Sequence, residues 1–121
     1  MLRLLAASVV VVSETAASAG DARGEWAREN GASKVRIASC GDALCGSIIW
    51  LRDPSAAAKV GQQVFFDMKP HRDNVWTGSA FNPEDGKTYS GKMTLTDDHL
   101  VTAGCVFGGL ICKSVGWTRA R

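Results

Sequence analysis

Apolar and polar residues alternate along most of this chain, and no stretch carries a convincing helical spacing. In KVRIA, Val35 and Ile37 share one face while Lys34 and Arg36 take the other. SIIWLR places Ile48 and Trp50 together. QQVFFDMKP sets Val64, Phe66 and Met68 against Gln63, Asp67 and Lys69, leaving Phe65 on the polar side. NVWTGSAF groups Trp76, Gly78 and Ala80. The clearest alternation is KTYSGKMTLT, where Tyr89, Gly91, Met93 and Leu95 face away from Thr88, Ser90, Lys92, Thr94 and Thr96. HLVTAGC, SVGWTR and a short GEW strand near the start complete the set.

The connectors fit hairpins. NPEDGK, Asn82 to Lys87, holds a proline and the Asp85-Gly86 pair between two strong strands, with Gly86 a structural turn residue. TDDH forms another turn. Helical propensity is confined to DPSAAAKVG, where Ala56 to Ala58 are expected to form one or two turns after Pro54. About eight short strands joined this way predict an all-β fold. Closing the sheet removes its exposed edges, so the expectation is a small antiparallel up-and-down barrel.

The first residues stand apart from this pattern. MLRLLAASVVVVSETAASAG has one basic residue, Arg3, an apolar core from Leu4 to Val12, and a small-x-small site at Ala17-Ser18-Ala19. It reads as a secretory signal peptide over residues 1–19, with a single domain over 20–121. The apolar run is well short of the ~20 residues a membrane span requires, so no span is expected. Net charge is +2, and removing Arg3 and Glu14 with the leader leaves it unchanged. So small an excess, spread along the chain, makes no basic stripe for nucleic acid.

All four cysteines lie in the exported part, in the motifs CGDALCG and CVFGGLIC. An oxidising compartment makes disulfides the expectation, and four cysteines allow three connectivities. The local pairs Cys40 with Cys45 and Cys105 with Cys112 are favoured, since each brackets a hairpin loop whose strand ends reach disulfide geometry. Loops this short add only about 2 to 2.5 kcal/mol each on the chain-entropy model, so the links chiefly shape two loops. A zinc site with His71 or His99, or a thiol redox role, would want C-x-x-C, which is absent.

GEW at Gly24 to Trp26, VRIASCGDALCGSIIWL at Val35 to Leu51, FNPEDGKTYSGKMTL at Phe81 to Leu95, Gly104-Cys105 and WTR at Trp117 to Arg119 occur here in register. Together they resemble the small secreted bacterial proteins of domain of unknown function 2147. The resemblance covers nearly all the exported chain and implies a lipocalin-like barrel. It carries over no catalytic residues, because the family has no established biochemical role. The chain departs from the family pattern in its short, alanine-rich connector RDPSAAAKVG. In barrels of this kind an arginine on the last strand packs over the first-strand tryptophan, which implies a structural cation-π pair of Arg119 and Trp26 beside Trp117.

Two functions follow as expectations. In the first, the barrel holds a small apolar or amphipathic molecule, lined by Trp50, Phe66, Trp76, Tyr89 and Met93. In the second, the barrel is a filled scaffold and its stapled loops bind or inhibit a protein partner, with Val106, Phe107, Leu110 and Ile111 as an apolar tip. That tip would alternatively fold back to plug the barrel. Gly78, Ala80, Gly91 and Ala103 fit either ligand space or strand bending. An enzyme is not expected: G-x-S-x-G, H-E-x-x-H, P-loop and dinucleotide fingerprints are absent, and SAAAK is one residue too long for S-x-x-K. Glu84 and Asp85 are explained by hairpin chemistry. The sequence points to no metal and no cofactor.

Overall fold

The computed structural model describes residues 20–120, so the leader expected over 1–19 lies outside the described residues. Eight strands follow one another: β1 (Gly24–Arg28), β2 (Ser33–Cys40), β3 (Ala43–Leu51), β4 (Gln63–Arg72), β5 (Val75–Asn82), β6 (Lys87–Thr96), β7 (His99–Val106) and β8 (Ile111–Arg119). Each is antiparallel to its predecessor, and β8 returns to β1 to close the barrel. Strands that alternate apolar and polar residues bury one face only, and a closed meander lets every such face share one interior without leaving a free edge.

Closure is made at one end. Trp26 on β1 pairs with Arg119 on β8, and the guanidinium lies 4.3 Å from the centre of the buried indole ring. Its two terminal nitrogens donate to the carbonyls of Arg23 at 3.0 Å and Asp21 at 2.9 Å, while Nε stands 3.4 Å from the Asp98 carboxylate. Trp26 Nε1 donates to the carbonyl of Ala22 at 2.9 Å. The segment before β1 is thereby drawn across the barrel end, where Ala22 is fully buried. Above this lid Ile37, Met68, Trp76, Met93, Leu95 and Leu100 pack into a continuous core.

Both disulfides are the local ones, Cys40–Cys45 and Cys105–Cys112, with Cα separations of 5.9 and 4.1 Å. They sit at opposite ends of the barrel. Cys40–Cys45 ties the β2–β3 hairpin at the closed end, and Cys105–Cys112 ties the β7–β8 connection at the other. At the Asn82–Lys87 hairpin the amide of Gly86 donates to the Asn82 carbonyl, with Gly86 at a φ of +69°.

Irregularities in β3 and β4 overturn the facing expected for Trp50 and for the Phe65–Phe66 pair, and the connection between these strands overturns a third expectation. On β3, Trp50 pairs with Lys34 while Ile48 pairs with Val35, so Ile49 is an extra residue. This bulge reverses the alternation beyond it, because side chains change face at every step. Trp50 therefore turns outward, 43% exposed, with the Lys34 ammonium 5.4 Å from its ring centre, and Leu51 turns in. On β4, Phe65 is buried and Phe66 only half-buried, the reverse of simple alternation. Phe65 enters the interior opposite Gly46, where a β-carbon would lie 2.6 Å from its ring. The pairing then shifts again between Phe66 and Lys69, with Asp67 at a φ of +51°. Gly78 makes room for this bulge, since a β-carbon there would stand 2.4 Å from the Asp67 carbonyl oxygen. Finally, residues 52–62 form turns and no helix. Asp53 accepts hydrogen bonds from the Ser55 amide and hydroxyl, a local alternative to helical bonding.

Trp26→Ala is expected to cost about 3–5 kcal/mol of unfolding free energy, as other buried large-to-small changes do. Arg119→Ala is expected to cost about 1–3 kcal/mol through its lost charged hydrogen bonds and ring contact. Urea unfolding followed by tryptophan fluorescence measures both; an Arg119→Ala midpoint equal to that of the unsubstituted protein would show that closure does not depend on this side chain.

Candidate functional site

The strand directions place four connections at the end away from the Trp26 lid: those after β1, β3, β5 and β7. Between them the barrel is hollow. A cavity of about 420 Å³ descends from this mouth into the interior, ending on Val35, Ile48, Thr102 and Trp117. The same barrel is thus packed solid in its lower half and open in its upper half.

Each wall residue is there for a local reason. Phe65 meets Trp117 edge-on, with ring centres 6.3 Å apart at 79°, and the two rings fix the lower wall. Trp117 Nε1 donates to Thr102 Oγ1 at 2.9 Å, which satisfies the buried indole without water. Leu51 faces the cavity because of the β3 bulge, and Val115 because it shares a face of β8 with Trp117. Ala56, Ala57 and Ala58 from the β3–β4 connection form part of the rim, so the alanine-rich segment borders the cavity without helical structure. Ala80 and Ala103 also line the space, while Gly78 serves the backbone bulge.

The mouth is polar. Arg28, Arg52 and Lys113 contribute cations, and Asp53, Glu84 and Asp85 contribute carboxylates. The acids are exposed on loops, and two of them have local partners. Asp53 is held below the ordinary carboxylate range by the Ser55 hydroxyl and amide. The Tyr89 hydroxyl donates to Asp85, which lowers the carboxyl and lifts the phenol above its ordinary value of about 10. Arg52 donates to the Asn30 carbonyl at 3.1 Å. Among the described residues the guanidinium of half-buried Arg28 has no protein partner.

Of the side chains expected to line a ligand space, the structure brings only Tyr89 to the cavity. Trp50 lies outside the barrel, and Phe66 sits half-buried on the outer face of β4. Trp76 and Met93 do point inward, but they are packed into the closed-end core below the cavity. Arg28 and Lys113 were legible yet overlooked: each stands two or four residues from an inward tryptophan, Trp26 or Trp117, on the same face of its strand.

The stapled loop does not plug the mouth. Phe107, Leu110 and Ile111 are 74%, 86% and 60% exposed, Val106 is half-buried, and none of the four lines the cavity. Phe107 to Gly109 makes a tight turn above the Cys105–Cys112 link, with a positive φ at all three residues. Among the described residues no cluster of His, Cys, Asp or Glu is arranged to hold a metal, and no helix is long and apolar enough to cross a membrane.

With this geometry the comparison with solved structures agrees in fold. A family model described as an uncharacterized protein conserved in bacteria (DUF2147) matches residues 24–119. Among solved structures the chain is similar to HP1028 from Helicobacter pylori, a protein described as belonging to the lipocalin family. The match has a TM-score of 0.67 and 20% identity, covering 84% of each chain. No curated protein matches the chain.

Tyr89 is the chain's single tyrosine, so its phenolate can be followed alone by ultraviolet absorbance. Its midpoint is expected above 10, and Asp85→Asn is expected to bring it down towards the ordinary value. A phenol raised by its partner stabilises the fold below pH 10 and loses that contribution as pH rises through the folded midpoint, whereas the lowered Asp85 carboxyl loses its contribution as pH falls through its own. An unshifted titration in both proteins would remove the Tyr89–Asp85 hydrogen bond from the mouth.

Proposed function

The chain belongs to the DUF2147 family of uncharacterised bacterial proteins, and on that premise we propose that it is an exported, non-enzymatic binding protein whose barrel takes one small apolar or amphipathic molecule. The observation that carries this reading is the cavity. At about 420 Å³, walled by Phe65, Trp117, Val115, Val35, Ile48 and Leu51, it falls within the roughly 300–1,000 Å³ usual for small-molecule sites. An apolar wall under a polar mouth matches a molecule with one dry end and one wet end. The lipocalin-like fold supports the same reading. Two local disulfides and the leader pattern support a periplasmic or extracellular location.

A second reading is favoured by the exposed tip. Phe107, Leu110 and Ile111 leave large apolar side chains in solvent at the mouth end, where a protein partner with an apolar surface would cover them.

Native mass spectrometry of protein purified from an oxidising periplasm, followed by organic extraction, is expected to release a reproducible small molecule. Val115→Trp, which fills the upper cavity, is expected to abolish its retention with the unfolding free energy reduced by no more than about 1–3 kcal/mol. Retention unchanged in Val115→Trp would place the ligand elsewhere. For the second reading, photo-crosslinking from position 107 is expected to give a discrete adduct that Leu110→Ser removes; no adduct at all would leave the tip without a partner.

A further inference from the structure

The polar groups inside the mouth are not evenly disposed. Arg28 ends β1 and Ser33 begins β2, so one four-residue connection carries a guanidinium and a hydroxyl to the same side of the cavity wall. Arg28 is half-buried beside Trp117, with which it pairs across the β1–β8 seam, and Ser33 is buried. Neither side chain has a protein hydrogen-bond partner among the described residues. An arginine fork facing an apolar cavity retains its charge and offers several donors, and a partly desolvated charge gains most from an opposite one. The neighbouring Glu29 does not supply that charge: it pairs with His99 Nδ1 at 3.2 Å across the barrel's outer face. Arg52 and Lys113 add further cations at the mouth, Lys113 on the β8 face that carries Val115 and Trp117.

We propose that the molecule held in the barrel is a single-chain amphiphile with a carboxylate head, seated with that head on Arg28 and Ser33 and its chain against Trp117, Val115 and Phe65. This rests on the ligand-binding reading above and names the class of ligand. The fork of Arg28 matches the two oxygens of a carboxylate, and the Ser33 hydroxyl adds a donor from the adjacent strand. The chain then descends along the aromatic wall, and a cavity of about 420 Å³ holds one such chain more readily than two. The carboxylates of the mouth do not oppose this placement strongly. Asp53, Glu84 and Asp85 stand exposed on loops after β3 and β5, where solvent screens them, and Asp53 and Asp85 are engaged by Ser55 and Tyr89.

Three probes with the same chain separate the possibilities: decanoate, decanol and decyltrimethylammonium, titrated calorimetrically into the delipidated, disulfide-intact protein. Decanoate is expected to bind at least about tenfold more tightly than decanol, and the cation more weakly than either. Arg28→Met keeps the length of the stem and is expected to remove the decanoate preference while leaving decanol binding within about twofold, which also shows that the cavity is intact. Ser33→Ala gives a second, smaller loss of the same preference should Arg28→Met fail to fold. Equal binding of decanoate and decanol, tighter binding of the cation, or a preference that survives both substitutions overturns the carboxylate head and leaves the binding reading standing. Failure of all three probes to bind overturns both.

Discussion

Everything in this barrel depends on the seam between its first and last strands. A meander of eight strands has two edges, and here they meet through a short pairing of Trp26, Ala27 and Arg28 with Thr118, Arg119 and Trp117. Backbone bonds over so few residues are supplemented by Arg119, which covers the Trp26 indole and binds the two carbonyls of the segment that crosses the barrel end. One side chain thus joins the two strand edges, the N-terminal segment and the β6–β7 turn at Asp98. The ring contact and the carbonyl bonds are made by the same guanidinium, its carbon over the indole and its terminal nitrogens donating to the two carbonyls.

That same seam sets up the site at the other end. Trp26 and Arg28 share a face of β1, as Trp117 and Arg119 do on β8, so closing the barrel on Trp26 carries Arg28 up beside Trp117 at the mouth. The lower interior is filled by residues from all parts of the meander, including Met68, Met93 and Leu100, and this leaves the cavity a floor. The upper interior stays open because its wall mixes large rings with Ala80, Ala103 and the alanines of the β3–β4 connection. Stability and binding space are divided along the barrel axis.

The bulges explain which side chains make the cavity wall. An extra residue at Ile49 sends Trp50 out to pack with Lys34 and brings Leu51 in, and the irregular pairing of β4 brings Phe65 in against Trp117. Each bulge also bends its strand, which a small closed barrel requires. The tight turn chemistry at the mouth, with Asp85 accepting from Tyr89 and from the Lys87 amide, holds the β5–β6 hairpin over one side of the opening. The stapled tip stands over another without entering it.

The amino-acid sequence by itself determined the class and the frame. Period-two alternation, the Asp-Gly turn and cysteines bracketing hairpins are local signals, and they were sufficient for eight antiparallel strands, a closed barrel and both disulfide pairs. The Trp26–Arg119 pair followed from family resemblance. What period two could not supply was the facing of side chains beyond a bulge: one unpaired residue inverts every later position, and where it falls is decided by what the neighbouring strand can accept. Gly46 and Gly78 make that acceptance possible on β3 and β5, but their effect is on β4, a strand that reads as regular alone. Tertiary structure therefore decided that Phe65 and Leu51 face the cavity, that Trp50 does not, and that Trp76 and Met93 lie below its floor. The physical reason is that a cavity is the volume left after the whole interior has packed, a property that belongs to no single strand.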